Sequence, residues 1–210
     1  MIVVVDYGMG NLHSVTQALK KIGAEPVVSD DPTLLAQATA IVLPGVGAFG
    51  DAMNNLREQG WIEPLKAAAN SGKPFLGICL GMQLLGDTSE EHATPEEGDH
   101  AGLGIIPGKV VRFTHELKIP HMGWNELVWA DPQQPLVQGI EEGHVYFVHS
   151  YHFVATEQTD VLATCDYGHP VTAMIGRGTV YGMQFHPEKS GDLGKQLLER
   201  FVALSAEIKF

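Results

Sequence analysis

The stretch Phe75-Leu76-Gly77-Ile78-Cys79-Leu80-Gly81-Met82-Gln83 decides the fold, because a short apolar run changes there from strand-compatible to helix-compatible at a cysteine. Residues 75–78 are typical of a buried strand, whereas residues 80–85 suit a helix. Cys79 therefore stands at a sharp strand-to-helix turn between two glycines, which is how a nucleophile elbow presents its reactive atom. The start of the following helix favours a thiolate. A buried structural cysteine in a glycine-rich turn is the alternative interpretation.

Length, charge and cysteine content narrow the class of protein. The 210 residues suit a single domain, residues 1–210, that buries a core without disulfides or metal. Cys79 and Cys165 are far apart and the N-terminus lacks the pattern of a signal peptide, so we expect a reduced, cytoplasmic protein. No apolar run is long enough for a bilayer, and the net charge of -12 opposes binding to nucleic acid or anionic lipid. We expect small molecules or another protein as partners.

The first half of the chain alternates strand and helix patterns. Apolar runs typical of strands cover residues 2–6, 26–28, 40–43 and 75–78. Helix patterns between them cover residues 14–22, 30–35, 53–59 and 64–70. This order predicts a parallel sheet with right-handed crossovers and helices on both faces.

Two glycine-rich turns follow strands in this half. Gly8 and Gly10 resemble the start of a dinucleotide-binding turn, but His13 stands where that fingerprint needs Gly or Ala. Residues 44–50 form a second turn at a strand's carboxyl end, where α/β proteins place their ligands. This second turn is either an ordinary connection or a loop whose amides face a developing oxyanion.

The second half has a different pattern. Residues 86–102 are polar and acidic, which favours a solvated loop. Short apolar runs then recur at residues 109–113, 124–129, 144–148, 151–154, 161–165, 171–175 and 180–185. They predict additional, largely antiparallel strands, followed by a helix over residues 193–205. The chain as a whole is predicted to be α/β, with a central, mostly parallel sheet flanked by helices.

The segment His186-Pro187-Glu188 follows the last predicted strand. In an extended segment residues two apart face the same way, so Glu188 can fix the tautomer of His186 and stabilise its imidazolium. A lone His-x-Glu usually consists of two polar residues at the protein surface. Together with the Cys79 elbow at the end of an earlier strand, it predicts a Cys-His-Glu catalytic triad.

These residues resemble the class I, triad-type glutamine amidotransferases. Gly77-Ile78-Cys79-Leu80-Gly81-Met82-Gln83 and His186-Pro187-Glu188 match the nucleophile and base motifs of that family in order and separation. The resemblance covers essentially the whole chain and implies one three-layer α/β domain of this family. It also implies hydrolysis of L-glutamine to L-glutamate and ammonia through a Cys79 thioester, without cofactor or metal.

Position by position, the resemblance implies further site residues. Backbone amides of Val46, Gly47 and Leu80 are expected to hold the oxyanion. The expected glutamine contacts are Gly47, Gln83, Glu91, Ser150 and Tyr151. Glu91 lies in the acidic segment, where most carboxylates are solvent-facing, so its assignment comes from the motif alone.

Four further segments narrow the resemblance to one branch of the family. They are residues 6–12, 44–47, 120–125 and 146–151, and they resemble glutaminase subunits that form a heterodimer with a (β/α)8-barrel cyclase in histidine biosynthesis. That cyclase uses the ammonia to make imidazole glycerol phosphate and aminoimidazole carboxamide ribotide. The resemblance places five residues at the partner interface or ammonia passage: Asn11, Trp124, Asn125, Tyr146 and Lys189. Ordinary packing at strand ends is their alternative role.

Other interpretations remain open at the level of the sequence. A glutaminase subunit of another synthase, such as that for pyridoxal phosphate, would share the triad but not the patterns at residues 6–12 and 124–125. A catalytically silent regulatory subunit on the same fold is opposed by the intact triad. His121, His149 and His152 are scattered without ligand spacing, so we expect core or surface residues and no metal site.

Overall fold

The computed structural model describes residues 1–96, 98–114 and 116–207. The strands within these residues are β1 Ile2–Val5, β2 Pro26–Ser29, β3 Ala40–Gly45, β4 Phe75–Cys79, β5 Thr88–Thr94, β6 Gly98–Ala101, β7 Gly108–Arg112, β8 His121–Glu126, β9 Val128–Trp129, β10 His144–His149, β11 Tyr151–Ala155, β12 Val161–Asp166, β13 Pro170–Arg177 and β14 Val180–Met183. The helices are α1 Leu12–Lys21, α2 Phe49–Glu58, α3 Ile62–Asn70, α4 Leu80–Gln83 and α5 Gly191–Glu207. Short 3-10 helices cover Pro32–Gln37, Gln158–Asp160 and Pro187–Lys189.

The central sheet has the strand order β2-β1-β3-β4-β14-β13-β12-β9. From β2 to β14 neighbouring strands are parallel, and from β14 to β9 they are antiparallel. The predicted mostly parallel sheet with antiparallel strands from the second half is therefore confirmed. The pairing of β14 with β4 is decisive for the site, because it sets the end of the last parallel strand beside the end of the elbow strand.

Alternation along β1 explains the three layers. Ile2 and Val4 face one core, which includes apolar residues of α1 and α5, whereas Val3 and Val5 face a second core with residues of α2 and α3. Successive side chains of a strand point to opposite faces, so a strand that is apolar at every position needs helices on both sides. The four residues of β1 are all buried.

The described residues also form two smaller sheets. One has the order β11-β7-β5-β6, and the other is the antiparallel pair β10-β8. The prediction of a solvated loop at residues 86–102 is wrong, since this segment supplies β5 and β6. Residue 97 lies outside the described residues. The strands form because Ser89 is buried opposite Val110 of β7 while charged neighbours stay at the surface.

Several element boundaries also differ from the predictions. The run at 124–129 is divided between β8 and β9, which belong to different sheets. The helix predicted after the elbow is the single turn α4. Residues 32–37 form a 3-10 helix, and the side chain of Asp31, just before it, accepts a hydrogen bond from the Thr33 amide at 2.9 Å. The single domain predicted over 1–210 includes residues 208–210, which lie outside the described residues, and it stays a prediction.

Candidate active site

The backbone at Cys79 has the strained conformation of a nucleophile elbow. Cys79 ends β4 with φ of 55° and ψ of -112°, a region that non-glycine residues rarely adopt. A Cβ added to Gly77 would lie 2.5 Å from the carbonyl oxygen of Gly81, and a Cβ added to Gly81 would lie 1.9 Å from the carbonyl oxygen of Leu43. Gly77 is therefore required for the turn to close on itself, and Gly81 is required for the turn to pack against β3.

His186 and Glu188 are in direct contact behind the sulfur. His186 Nδ1 lies 2.8 Å from Glu188 Oε1, and their side chains are 4% and 1% exposed. The contact was predicted, but its basis is different: Glu188 lies in the 3-10 helix Pro187–Lys189 rather than in an extended segment. Because the carboxylate accepts the Nδ1 proton, Nε2 is left to act on the thiol.

Backbone bonds fix the position of the base. The His186 amide donates to the Tyr146 carbonyl oxygen at 3.0 Å, which ties the residue to β10. The Ser190 hydroxyl donates to the His186 carbonyl oxygen at 2.6 Å and accepts from the Tyr146 amide at 3.0 Å. The imidazole is thus held between the central sheet and the β10–β8 sheet.

Electrostatics favour a charged imidazole at this position. Burial by itself lowers the pKa of His186, but hydrogen bonds and charge interactions with Cys79 and Glu188 outweigh it and raise the pKa to about 9. The neighbouring Tyr7 has a strongly raised pKa, first because it is buried and second because of the Cys79 charge, so its hydroxyl keeps its proton. Within the described residues, that hydroxyl has no hydrogen-bond partner.

A cavity of about 370 Å³ opens at the sulfur and contains the predicted substrate residues. Its lining is Val46, Gly47, Cys79, Leu80, Gln83, Glu91, Pro120, Val148, His149, Ser150, Tyr151 and His186. The predicted oxyanion and glutamine residues therefore meet at one place, although their roles stay predictions. A larger cavity of about 780 Å³ lies between α1 and α5, but the smaller one holds the nucleophile.

Two glutamines connect the cavity wall to the sulfur. Gln83 Nε2 donates to the Tyr151 carbonyl oxygen at 3.1 Å and to Gln184 Oε1 at 2.9 Å. Gln184 Nε2 in turn lies 3.8 Å from Cys79 Sγ, a sulfur hydrogen bond. With its Nε2 occupied in this way, Gln83 has its Oε1 available for a substrate in the cavity.

Glu91 lies on the cavity wall, in β5. Its Oε2 accepts a hydrogen bond from the Phe49 amide at 2.7 Å, at the first residue of α2. An anionic side chain is stabilised at a helix N-terminus, so this bond places the carboxylate at the cavity and not in open solvent. The position agrees with a contact to the ammonium group of an amino acid substrate.

The oxyanion candidates lie on two loops that flank Cys79. Leu80 is the first residue of α4, so its amide lacks an intrahelical partner. Gly47 has φ of 105°, and a Cβ there would lie 2.7 Å from the Met9 Cε atom. Val46 beside it is 42% exposed, which leaves this side of the loop open to another molecule.

The residues predicted for the partner interface are not all in one place. Trp124 and Tyr146 are cross-strand partners on the outer face of the β10–β8 sheet, with ring centroids 6.1 Å apart, and Trp124 is 58% exposed. Asn11 caps α1, since its Oδ1 accepts from the Ser14 amide at 3.3 Å. Lys189 is exposed beside the base, and Asn125 is partly buried.

The three histidines are not scattered as predicted. His121 Nδ1 lies 2.9 Å from His149 Nε2, and both His149 and His152 pack on Phe113. Their neighbourhood could not be read from the sequence, because it depends on the register of β8 with β10. No group of His, Cys, Asp or Glu within the described ranges has an arrangement that holds a metal ion.

Sequence reasoning missed four contributors to the site. Gln184 touches the sulfur, and Pro120, Val148 and His149 line the cavity. Gln184 lies one residue after β14, opposite the elbow, and only the strand order brings it there. The signal that was available for His149 is its place on the apolar side of the alternating run 144–149, which carries Val145 and Phe147 on the same face.

The chain matches the family model "Glutamine amidotransferase class-I" over residues 3–204. Curated relatives with the name "Imidazole glycerol phosphate synthase subunit HisH" are similar over almost their whole length. The relative from Geobacillus sp. (strain WCH70) is 50% identical, with 97% of this chain and 97% of the relative covered. The relative from Desulfitobacterium hafniense (strain DSM 10664 / DCB-2) is 54% identical, with coverage of 96% and 93%.

Solved structures are similar in fold at low sequence identity. A structure described as "Crystal structure of glutamine amidotransferase" has a TM-score of 0.76 at 22% identity and covers 98% of this chain and 100% of its own. The structure of PurLQS from Thermotoga maritima has a TM-score of 0.76 at 22% identity, with 97% of each chain covered. At this identity the likeness concerns the fold alone.

Proposed function

Since the chain belongs to the class-I glutamine amidotransferase family, we propose that it is the glutaminase subunit of an imidazole glycerol phosphate synthase in histidine biosynthesis. The observation that carries the proposal is the cavity in which the strained Cys79 elbow meets the His186–Glu188 pair. Relatives that are about 50% identical over nearly the full chain support this synthase over other glutaminases. The intact triad geometry supports an enzyme over a silent subunit.

In the proposed reaction Cys79 attacks the carboxamide carbon of glutamine. His186 holds the proton of the thiol as an imidazolium, and the thiolate sulfur forms a bond to carbon while the carbonyl π electrons move to oxygen. Amides of Leu80 and of the residue 46–47 loop hold this oxyanion. His186 then gives its proton to the amide nitrogen and the carbon–nitrogen bond breaks. Ammonia is released, and the γ-glutamyl group remains bound to Cys79 as a thioester.

Water completes the cycle at the thioester. His186 takes a proton from the attacking water, and collapse of the second tetrahedral intermediate releases glutamate and restores the Cys79 thiolate beside the His186 imidazolium. Glu188 orients the imidazole and stabilises the imidazolium in both half-reactions. Glutamine and water are thus converted to glutamate and ammonia.

The ammonia is used by a second subunit in this proposal. We propose a (β/α)8-barrel cyclase as the partner in a heterodimer, docked on the outer face of the β10–β8 sheet. Met122 and Trp124 are 56% and 58% exposed on this face. Strand β10, which forms part of the face, accepts the amide of His186 at the Tyr146 carbonyl oxygen. Exposed apolar patches of this kind mark interaction sites.

The chain is expected to work in the cytoplasm. Cys79 and Cys165 are both free thiols, as suits a reducing compartment. None of the helices within the described residues has the length and apolar character needed to cross a membrane.

A Cys79→Ala variant tests the division of labour between the two subunits. The chain and its cyclase are purified together and assayed for synthesis of imidazole glycerol phosphate, with either glutamine or an ammonium salt as the nitrogen source. The variant should lose glutamine-dependent synthesis and keep ammonium-dependent synthesis, because added ammonia bypasses the thioester. The matched control is Cys165→Ala, a buried cysteine that is not among the residues lining the cavity, which should keep both. Loss of both activities in Cys79→Ala would contradict the proposal.

A further inference from the structure

A chain of hydrogen bonds leads from the inner face of the β10–β8 sheet toward the catalytic cavity. His121 and His149 are direct cross-strand partners, and Asn125 lies on the same face of β8 as His121 because the two residues are four apart. His121 Nδ1 lies 2.9 Å from His149 Nε2, and Asn125 Nδ2 lies 3.2 Å from His121 Nε2. The two rings are 3% and 6% exposed.

The acceptor at one end fixes both tautomers. His149 Nδ1 lies 2.8 Å from the Tyr151 carbonyl oxygen, which only accepts, so Nδ1 carries the proton. The neutral ring then accepts at Nε2, and His121 must donate from its Nδ1. His121 Nε2 is consequently an acceptor, which matches the Asn125 amide group that faces it. Burial first of all lowers the pKa of His149 to about 3, so this ring stays neutral.

The orientation of Asn125 is fixed independently at the other end. Its Oδ1 accepts from the Glu126 amide at 2.8 Å, and its Nδ2 donates to the Asp166 carbonyl oxygen at 2.7 Å. A flipped amide would oppose two donors at one contact and two acceptors at the other. The hydrogen bonds from Asn125 to His121, from His121 to His149 and from His149 to Tyr151 therefore all run in the same direction.

The Tyr151 carbonyl oxygen joins this chain to the glutamines of the site. It accepts from His149 and from Gln83, and Gln83 continues to Gln184 and the Cys79 sulfur. Each group thus has one orientation that satisfies all the hydrogen bonds described above. A buried network in this state holds its members more firmly than isolated pairs do.

We propose that Asn125, His121 and His149 are positioning residues for glutamine hydrolysis. They hold the Tyr151 carbonyl in place, and this carbonyl sets the orientation of the Gln83 amide in the cavity. Trp124, next to Asn125, belongs to the exposed face on which we place the cyclase, so a docked partner is one residue from the start of the chain. The proposal rests on the glutaminase function and adds residues that do not themselves touch the reacting atoms.

The variant His121→Phe interrupts the chain without entering the cavity, whose lining does not include His121. A phenyl ring keeps the stacking on Phe147 and Tyr167, whose centroids lie 4.6 Å and 3.9 Å from the imidazole. The matched control is His152→Phe. His152 is also buried and stacks on Phe113 at 4.7 Å, and it takes part in none of the hydrogen bonds of the chain described above.

Both variants are assayed for glutamine hydrolysis in complex with the cyclase. We expect His121→Phe to lower kcat/KM by about fivefold to tenfold, mainly through a higher KM, because the loss of the hydrogen bonds to His149 and Asn125 loosens the Gln83 contact. His152→Phe should stay within about twofold of the wild type. Equal losses in both variants, or none in His121→Phe, would overturn the proposal.

Histidine tautomers in the wild-type chain give a second readout that packing alone does not move. Long-range proton–nitrogen NMR spectra should show protonated Nδ1 and unprotonated Nε2 on both His121 and His149. An Nε2-protonated tautomer on either ring would refute the chain even if His121→Phe fails to fold. Absence of glutamine hydrolysis by the wild-type complex would instead count against the proposed function, so the two failures are distinguishable.

Discussion

Replacement of Glu188 by Gln is the most direct test of how the active site works. The variant keeps the shape of the side chain and an oxygen that accepts from His186 Nδ1, but it removes the negative charge 2.8 Å from the ring. Both side chains are almost fully buried, so solvent does not screen the interaction. The imidazolium should therefore be destabilised and the pKa of His186 should fall.

The magnitude follows from the raised pKa of His186. Its value of about 9 compares with 6.5 for an ordinary histidine, and burial alone would lower it. At about 1.4 kcal/mol per pKa unit, the contacts with Cys79 and Glu188 together favour the imidazolium by roughly 3 kcal/mol or more. If Glu188 contributes about half, its charge corresponds to about tenfold in a rate constant. We therefore expect kcat to fall by about tenfold or more.

The assay is the pH dependence of glutamine hydrolysis by the complex, between about pH 6 and pH 10. Activity declines on the alkaline side as His186 loses its proton, so this limb should move to lower pH in Glu188→Gln. The matched control is Asp192→Asn, an exposed carboxylate in the first turn of α5, which removes the same charge near the site. An alkaline limb and kcat that equal those of the control would refute the reasoning.

Three further predictions test the fold, the buried histidines and the docking face. Gly81→Ala should lower the free energy of unfolding, measured in urea, by about 3 kcal/mol or more, because the added Cβ would overlap the Leu43 carbonyl. The control Gly143→Ala should change this free energy little, since its Cβ would lie at an ordinary 3.4 Å from Leu193. Because the pKa of His149 is depressed to about 3, the unfolded chain takes up a proton near pH 6.5 before the native state does, and this contribution to stability is lost as the pH falls from about 6.5 toward 3. His149→Phe should flatten that part of a stability-versus-pH curve, and an unchanged slope would contradict the depressed pKa. Trp124→Ala should weaken binding to the cyclase by about tenfold or more in calorimetry, whereas Val154→Ala, which changes an exposed residue of β11, should not. Equal affinities of the two variants would contradict the proposed docking face.

The sequence was sufficient to predict the central sheet and the proximity of Cys79, His186 and Glu188, because local patterns indicate both. Continuous apolar runs such as residues 2–5 and 75–79 mark strands that are buried on two faces, and a cysteine between glycines at the end of one of them marks the elbow. The order of these runs along the chain was enough to predict parallel pairing. The contact between His186 and Glu188 was also predictable from their spacing, although the local conformation was not.

The parts that could not be predicted depend on pairing between distant segments. The acidic segment has the composition of a loop, because its many charged residues obscure a buried position such as Ser89. Lys109 of β7 compensates for the acidic edge, with its Nζ 2.9 Å from Asp99 of β6. The proximity of His121 to His149 likewise follows from register, which a polar pair on an apolar face does not reveal in sequence.

Strand β10 links the proposed docking face to the chemistry in two ways. Its backbone at Tyr146 accepts the amide of His186, and its last residue, His149, bonds the Tyr151 carbonyl that orients Gln83. A partner on the outer face of β10 and β8 would therefore be one strand away from both the base and the cavity wall. Cys79, by contrast, is fixed by β4 in the middle of the central sheet. If the proposed partner docks there, we expect it to act on the surroundings of the thiol and not on the position of Cys79 itself.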